Sequence, residues 1–430
     1  EDAALVVLDN ASGEVLAYVG SSGELSRAGQ VDGAQALRQA GSTLKPFLYA
    51  QAIAQKRLTA ASLLDASSAQ IPPASGLYIP QNYDRSFKGW VSVRTALGAS
   101  LNVPAVRALV MVSPTAFAQQ LQAVGLSLKH RGEHYGYSLA LGSADVSLLQ
   151  LTNSYRTLAN GGRTSAVSFV PGAKPSFQNA LDPAAAFIVS DILSDSVARA
   201  MTFGSDSVLA TRFWTAVKTG TSKDMRDNWA VGYSQHYTVG VWMGNASGAP
   251  MWDVSGTSGA APVWADVMGY LHRERPSRAS TPPPGVYAAV TQYAQGQEAS
   301  RQEWYLSGAQ AFPHSERTIS LVAAYAGNTP ATSQNGFKIL SPSPGTIIAL
   351  DPDIPPLRQR LSLRSSAPAN APANAQARWM LDGKELARGA QATWLPWPGR
   401  HRITLHNAQG QQLDEVRIEV RGAGVRMARK

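Results

Sequence analysis

Ser42 and Lys45 stand three residues apart in the stretch RQAGSTLKPFLYAQAI, immediately ahead of an apolar run. On a helix such positions share a face, with Cβ atoms about 5–6 Å apart, so a lysine amine can fold back over a serine hydroxyl. That would make Ser42 a nucleophile with its own base. Gly41 allows a sharp entry and Pro46 is tolerated only near a helix start, which predicts a helix beginning at or just after Ser42, where the dipole is positive. A serine that merely caps the helix would satisfy the same pattern. Two further motifs bear on the choice. Ser100-Leu101-Asn102 is weak alone, since Ser-x-Asn recurs from Ser333 to Asn335, whereas Lys218-Thr219-Gly220 occurs once, in the strand-like run FWTAVKTGTS. Ser-x-x-Lys, Ser-x-Asn and Lys-Thr-Gly in that order, spaced over one domain, are far less expected as a coincidence than any one of them alone.

The elements that must position these residues are legible in outline. Beyond the helix after Ser42, SPTAFAQQLQAVG reads as a helix with Ser113 and Pro114 at its start and Gly125 as its stop. VSLLQLTNSYRTLANGG reads as another, ended by Asn160-Gly161-Gly162. The opening AALVVLDNASGEVLAYVG is a hairpin pattern, and FWTAVKTGTS, NWAVGYS and YTVGVWMGN form a closing antiparallel meander. Helices enclosed between them predict one α+β domain, residues 1–275, whose sheet joins both ends of that segment. RERPSRASTPPPG reads as a stiff connector crossed by few contacts, opening an irregular linker over 276–335. From 336 to 422, short alternating strands with Asp382-Gly383 as a hairpin turn and APANAPANA as a loop predict a small immunoglobulin-like β-sandwich, followed by a basic tail at 423–430. Ending the chain near Pro276 is therefore expected to leave the chemistry intact, the alternative being that the segment from Val286 to Asn335 packs on the first domain and makes the sandwich a brace.

Composition bounds the remaining classes. The 430 residues are 44% hydrophobic and 16% charged, an ordinary globular balance for two or three domains. There is no cysteine, which excludes disulfides, thiolate metal sites and a cysteine nucleophile. The net charge is +9, but the 38 Lys and Arg residues are scattered rather than gathered in a stripe, so no nucleic-acid partner is expected. An anionic polymer or membrane face accounts for that charge equally well. With no apolar run of transmembrane length and no signal peptide, the polypeptide as given is expected to be soluble.

Longer stretches carry a resemblance. PQNYDRSFKGWVSVRTALGASLNVPAV, YGYSLALGSADVSLLQLTNSYRTLANGG and KTGTSKDMRDNWAVGYSQHYTVGVWMGN resemble the transpeptidase domain of class A, bifunctional penicillin-binding proteins. SRQEWYLSG, GTIIALDPDIPPLRQRL and the terminal sandwich resemble the 1C type of that family. The resemblance implies a serine β-lactamase-like transpeptidase fold, an antiparallel sheet with helices. It implies catalytic roles for Ser42, Lys45, Ser100, Asn102 and Lys218, substrate binding by Thr219, Gly220 and Thr221, and no cofactor. Ser42 would attack the penultimate D-Ala carbonyl of a peptidoglycan stem, or a β-lactam. Lys218, placed by the resemblance across the cleft, would lower the proton affinity of Lys45, and Ser100 would relay a proton between Lys45 and the leaving amine. The backbone N–H groups of Ser42 and Thr221 would form the oxyanion hole. Alternation along the motif strand puts the Thr219 and Thr221 hydroxyls on one face for a substrate carboxylate, while Gly220 leaves room for substrate backbone. A D,D-carboxypeptidase or β-lactamase, or a penicillin-binding sensor without turnover, shares these motifs.

The family carries a membrane anchor and glycosyltransferase domain ahead of this segment. Glu1 leads straight into a core hairpin, so the chain is expected to be a fragment from the periplasmic face of the bacterial inner membrane, attached only through that missing anchor. Other envelope proteins are the partners expected for the sandwich. Two competing signals carry less. His130 to His134 fits the zinc pattern His-x-x-Glu-His, but Gly132 within it and Tyr135-Gly136 after it point to a loop, so no metal site is expected. Trp90 and Trp229 are candidates for the cleft border or for the core.

Overall fold

The computed structural model describes residues 2–66, 89–204, 206–251, 254–293, 298–308, 338–342, 347–349, 361–366, 377–397 and 399–421. They fall into two units, 2–308 and 338–421. In the first, strands β1 (Asp2–Asp9), β2 (Val15–Val19), β3 (Ala216–Thr221), β4 (Asp227–Tyr233) and β5 (Tyr237–Gly244) form an antiparallel sheet in the order β2-β1-β5-β4-β3. The opening hairpin and the closing meander thus meet in one sheet, with β1 running beside β5 from Asp2↔Gly244 to Asp9↔Tyr237. Every residue of β4 is buried, which requires cover on both faces. On one face Val7, Val217, Ala230, Val239 and Val241 pack against Trp264 and Met268 of the helix Ala260–Leu271.

On the other side lie the helices that hold the motif residues. Helix α1 (Lys45–Ala54) is buried along its first nine residues, the signature of a helix apolar on all sides at the centre of a unit. Then follow α2 (Val93–Gly98), α3 (Asn102–Val112), α4 (Pro114–Ala123) and α5 (Leu148–Ala159). Ser113 caps α4 through its hydroxyl, as its sequence indicates, and Gly161 and Gly162 follow α5 with positive φ. Helices α6 (Pro183–Ser194) and α7 (Ser196–Phe203) were not read from the sequence, although Asp182 and Asp195 both accept backbone N–H groups at their first turns. Among the described residues no helix is long and apolar enough to cross a membrane.

The structure corrects the linker. Within the stretch read as irregular, β6 (Val286–Thr291) and β7 (Arg301–Leu306) pair antiparallel from Val286↔Leu306 to Thr291↔Arg301 and belong to the first unit, which therefore extends past residue 275. Tyr293 and Tyr305 bury against Ala61, and Glu303 is fully buried. The proline-rich connector is likewise pinned: the Ser277 hydroxyl donates to Trp214 O at 2.7 Å and accepts from Gln235 N at 3.0 Å. Proline stiffens the chain but leaves its carbonyls and neighbouring hydroxyls free to bond, so stiffness does not imply detachment. Residues 309–335, the APANAPANA loop and the basic tail lie outside the described residues.

In the second unit, Ile339–Ser341, Leu361–Ser365 and Gln391–Trp394 make one sheet. Ile347–Ala349, Arg378–Leu381, Lys384–Arg388, Gly399–His406 and Gln412–Arg421 make the other. Leu363 and Trp394 from the first share a core with Trp379, Ile403, Leu405 and Val416 from the second, a two-sheet sandwich as expected. Asp382 and Gly383 turn the hairpin with φ of 49° and 81°, as a tight two-residue turn demands.

Candidate active site

Gly41–Leu44 forms a 3-10 turn that runs directly into α1 at Lys45. Ser42 caps neither element, which removes the bland use of a serine here. Three contacts fix the turn from below: Trp229 Nε1 donates to Gln39 O at 2.8 Å, Thr43 Oγ1 to Ala40 O at 2.7 Å, and the buried Tyr155 hydroxyl to Thr43 O at 2.7 Å. Trp229 is thus a supporting core residue rather than a cleft wall, while Trp90 is half-buried on a short strand. The turn lies along β3, the end strand of the sheet. Gly41 has a φ of +55°, and a Cβ there would meet Thr221 O at 2.6 Å. Gly220 also has a different purpose from the one expected. A Cβ at Gly220 would meet Thr43 Cγ2 at 2.7 Å and Ala40 O at 2.8 Å, so its missing side chain admits the Ser42 turn, not substrate.

Lys45 does not rest on the Ser42 hydroxyl. Its Nζ, wholly buried, donates to Ser100 O and to Asn102 Oδ1, both at 2.7 Å. Lys218, on β3, donates to Ser100 Oγ at 2.7 Å and to Thr219 O at 2.8 Å. One serine therefore connects the two amines, its carbonyl to Lys45 and its hydroxyl to Lys218. To do so it adopts a φ of +60°, a conformation costing a non-glycine residue roughly 1–2 kcal/mol. Strain of this kind concentrates at functional positions.

Burial, and then the charge of Lys218, hold Lys45 well below the usual lysine value. Burial, and then the charge of Arg199, bring Lys218 down to about 7. Arg199, on α7, escaped the sequence reading because no motif marks it. The Thr219 and Thr221 hydroxyls share a strand face as alternation requires, and Thr221 Oγ1 accepts from Gly256 N at 3.1 Å, which leaves its own proton to donate. The structure thus gathers Lys45, Ser100, Asn102 and Lys218 into one bonded group and sets Ser42, Gly220 and Thr221 along a single seam. His130 and His134 stack at 4.0 Å around a four-residue helical turn, and no metal-ligand cluster occurs among the described residues.

An edge strand carrying Lys-Thr-Gly-Thr beside a serine turn with two buried lysines defines a penicillin-binding type of fold and site. Residues 3–269 match the penicillin-binding protein transpeptidase domain, and residues 326–418 match the penicillin-binding protein C-terminus family. The chain belongs to the penicillin-binding protein transpeptidase family. It is 34% identical over 271 residues to penicillin-binding protein 1C of Escherichia coli, covering 62% of this chain and 34% of that protein. It is 31% identical over 316 residues to penicillin-binding protein 1A of Neisseria lactamica, covering 67% and 38%. The chain thus spans just over a third of the length of these curated relatives. The fold is shared with penicillin-binding protein 1A from Haemophilus influenzae, with a TM-score of 0.63 at 23% identity over 72% of this chain and 54% of that one. It is shared also with PonA1 of Mycobacterium tuberculosis in complex with penicillin V, with a TM-score of 0.55 at 22% identity over 65% and 80%.

Proposed function

We infer that this chain is a peptidoglycan D,D-transpeptidase acting through an acyl-enzyme at Ser42. The observation that carries the reading is the Lys45–Ser100–Lys218 connection, two buried amines of lowered proton affinity meeting at one strained serine beside the Ser42 turn. Neutral Lys45 takes the Ser42 proton as Oγ bonds to the penultimate D-Ala carbonyl carbon. The N–H groups of Ser42 and Thr221 receive the oxyanion. When the C–N bond to the terminal D-Ala breaks, the Ser100 hydroxyl, held by Lys218 in this structure, gives its proton to the leaving nitrogen and is reprotonated by Lys45 once it turns from Lys218. An acceptor amine reverses these steps and completes the crosslink. Protonated Lys218 and the Thr219 and Thr221 hydroxyls hold the terminal carboxylate. A β-lactam is opened by the same attack and remains on Ser42. Among the described residues no strand pairs with the outer edge of β3, which suits an extended stem peptide lying as an added strand.

This reading places the unit at the periplasmic face of the bacterial inner membrane and gives the sandwich, which bears no chemical constellation, an interaction role with other envelope proteins. Intact-mass spectrometry after a β-lactam pulse tests it. The parent gains one adduct that persists in water, Ser42→Ala gains none, and a D-Ala-D-Ala stem is transferred to a D-amino acid acceptor. Rapid release by water alone makes it a carboxypeptidase or β-lactamase, acylation without turnover makes it a sensor, and an adduct on Ser42→Ala refutes the nucleophile.

A further inference from the structure

Helix α7 touches the site at two places. Thr202 Oγ1 donates to the carbonyl of Ala99, next to Ser100, at 2.8 Å, and Ala198 lies so close to Gly98 that a Cβ there would come within 2.7 Å of its methyl. Arg199 is buried and bonded to the carbonyls of Leu193 and Leu209, and after burial its charge is what lowers the proton affinity of Lys218. The helix begins at Asp195. One of its carboxylate oxygens accepts the N–H groups of Val197 and Ala198 at 2.9 and 3.0 Å, and the other accepts from Arg94 Nη1 at 3.1 Å. Arg94 is in turn gripped by Glu303 of β7 through two bonds, Nε to Oε1 at 2.7 Å and Nη2 to Oε2 at 2.8 Å, while Asp191 takes Nη2 at 2.6 Å. Glu303 is steadied by Arg301, whose Nε donates to Oε1 at 2.7 Å.

We propose that Glu303 is a positioning residue of the acyl-transfer site: by orienting Arg94 it fixes Asp195 and the first turn of α7, and α7 carries that placement to the Ser100 turn and to Lys218. Buried ion pairs add little net stability compared with apolar packing, but a two-pronged carboxylate–guanidinium grip sets orientation closely. The grip is also costly to leave half-made. The Glu303 side chain is fully shielded and that of Arg94 is 7% exposed, so neither can turn to water. Displacements of about 1 Å at a reacting group cost orders of magnitude in rate. Glu303 lies beyond residues 3–269, so the hairpin would complete a site whose motifs all lie within the matched domain.

The inference rests on the acyl-enzyme reading, and its test separates the two. Among the described residues the charged groups bearing on Lys218 are Lys45 from α1 and Arg199 from α7. The experiment measures the second-order acylation constant of the full chain with a fluorescent penicillin across neutral and alkaline pH, together with thermal unfolding. The variants are Glu303→Gln, Glu303→Asp, Arg94→Lys and Arg199→Met. Glu303→Gln is expected to acylate about tenfold more slowly at neutral pH. Its alkaline fall is expected to move upward by about half a pH unit or more, the direction Arg199→Met takes, because a cation has receded from Lys218. Glu303→Asp, which keeps the charge, restores part of both effects. Arg94→Lys keeps the positive charge, loses the two-pronged grip and shifts the profile likewise, so it decides the matter if Glu303→Gln does not fold. A profile superimposable on the parent's, whatever the change in Tm, overturns the proposal. Labelling that persists in Ser42→Ala would instead refute the underlying reading.

Discussion

Replacing Lys218 by methionine should change the stability of the transpeptidase unit by an amount that depends on pH in a defined way. Burial and the Arg199 cation lower Lys218 from 10.5 to about 7. At about 1.36 kcal/mol per pH unit, keeping that amine protonated costs the folded state on the order of 5 kcal/mol. The folded value lies below the unfolded one, so the cost is fully present below about pH 7 and shrinks by about 1.4 kcal/mol per unit as pH rises. It vanishes near pH 10.5, where the unfolded lysine also loses its proton. Lys218→Met escapes this cost at every pH. What it loses are the hydrogen bonds to Ser100 Oγ and Thr219 O, about 1–3 kcal/mol for each group left unpaired and nearly independent of pH. The stability of the variant relative to the parent should therefore fall by about 3 kcal/mol between about pH 7 and pH 9. Urea unfolding followed by tryptophan fluorescence measures it, the relevant transition being the one that bound β-lactam displaces in the parent. Parallel pH–stability curves for the two proteins would refute the claim that Lys218 is held at low proton affinity, and with it the charge logic of the site.

Lys45→Arg should fold yet acylate slower by about a hundredfold or more, because guanidinium cannot surrender a proton; near-normal stopped-flow acylation would exclude Lys45 as the base. Gly220→Ala forces a methyl to within 2.7 Å of Thr43 Cγ2 and 2.8 Å of Ala40 O, so penicillin labelling should fall by about tenfold or more with Tm lowered, and unchanged labelling would show that the Ser42 turn is not braced there. Ending the chain after residue 275 removes Glu303 from Arg94 and the tyrosines from Ala61, whereas ending it after residue 308 keeps them; only the shorter chain should lose acylation, by more than about tenfold, and equal rates would reject the hairpin's place in the unit.

The sequence alone determined the order of the motifs, the hairpin and meander that close the sheet, the capped helices and the two-sheet sandwich. Each of these depends on neighbours along the chain: period-two alternation, a cap such as Ser113, a turn such as Asp382-Gly383. It read the identities of Lys45 and Lys218 for the same reason, as members of short strings. Only the tertiary structure decided what those residues touch. Lys45 meets Ser100 across 55 positions of sequence and Lys218 meets it across 118, with Ser100 held in a backbone conformation that its residue type does not announce. Gly220 was assigned to substrate because alternation describes a strand's faces but not what is packed on them; the Thr43 methyl occupies that space. The hairpin of β6 and β7 was hidden by the charged start of β7, Arg301-Gln302-Glu303, since buried Glu303 reads as a surface residue until Arg94, 209 positions earlier, supplies its counter-charge. Pairings across such distances follow from how helices and sheet stack, and a string of residues carries no local period from which they can be read.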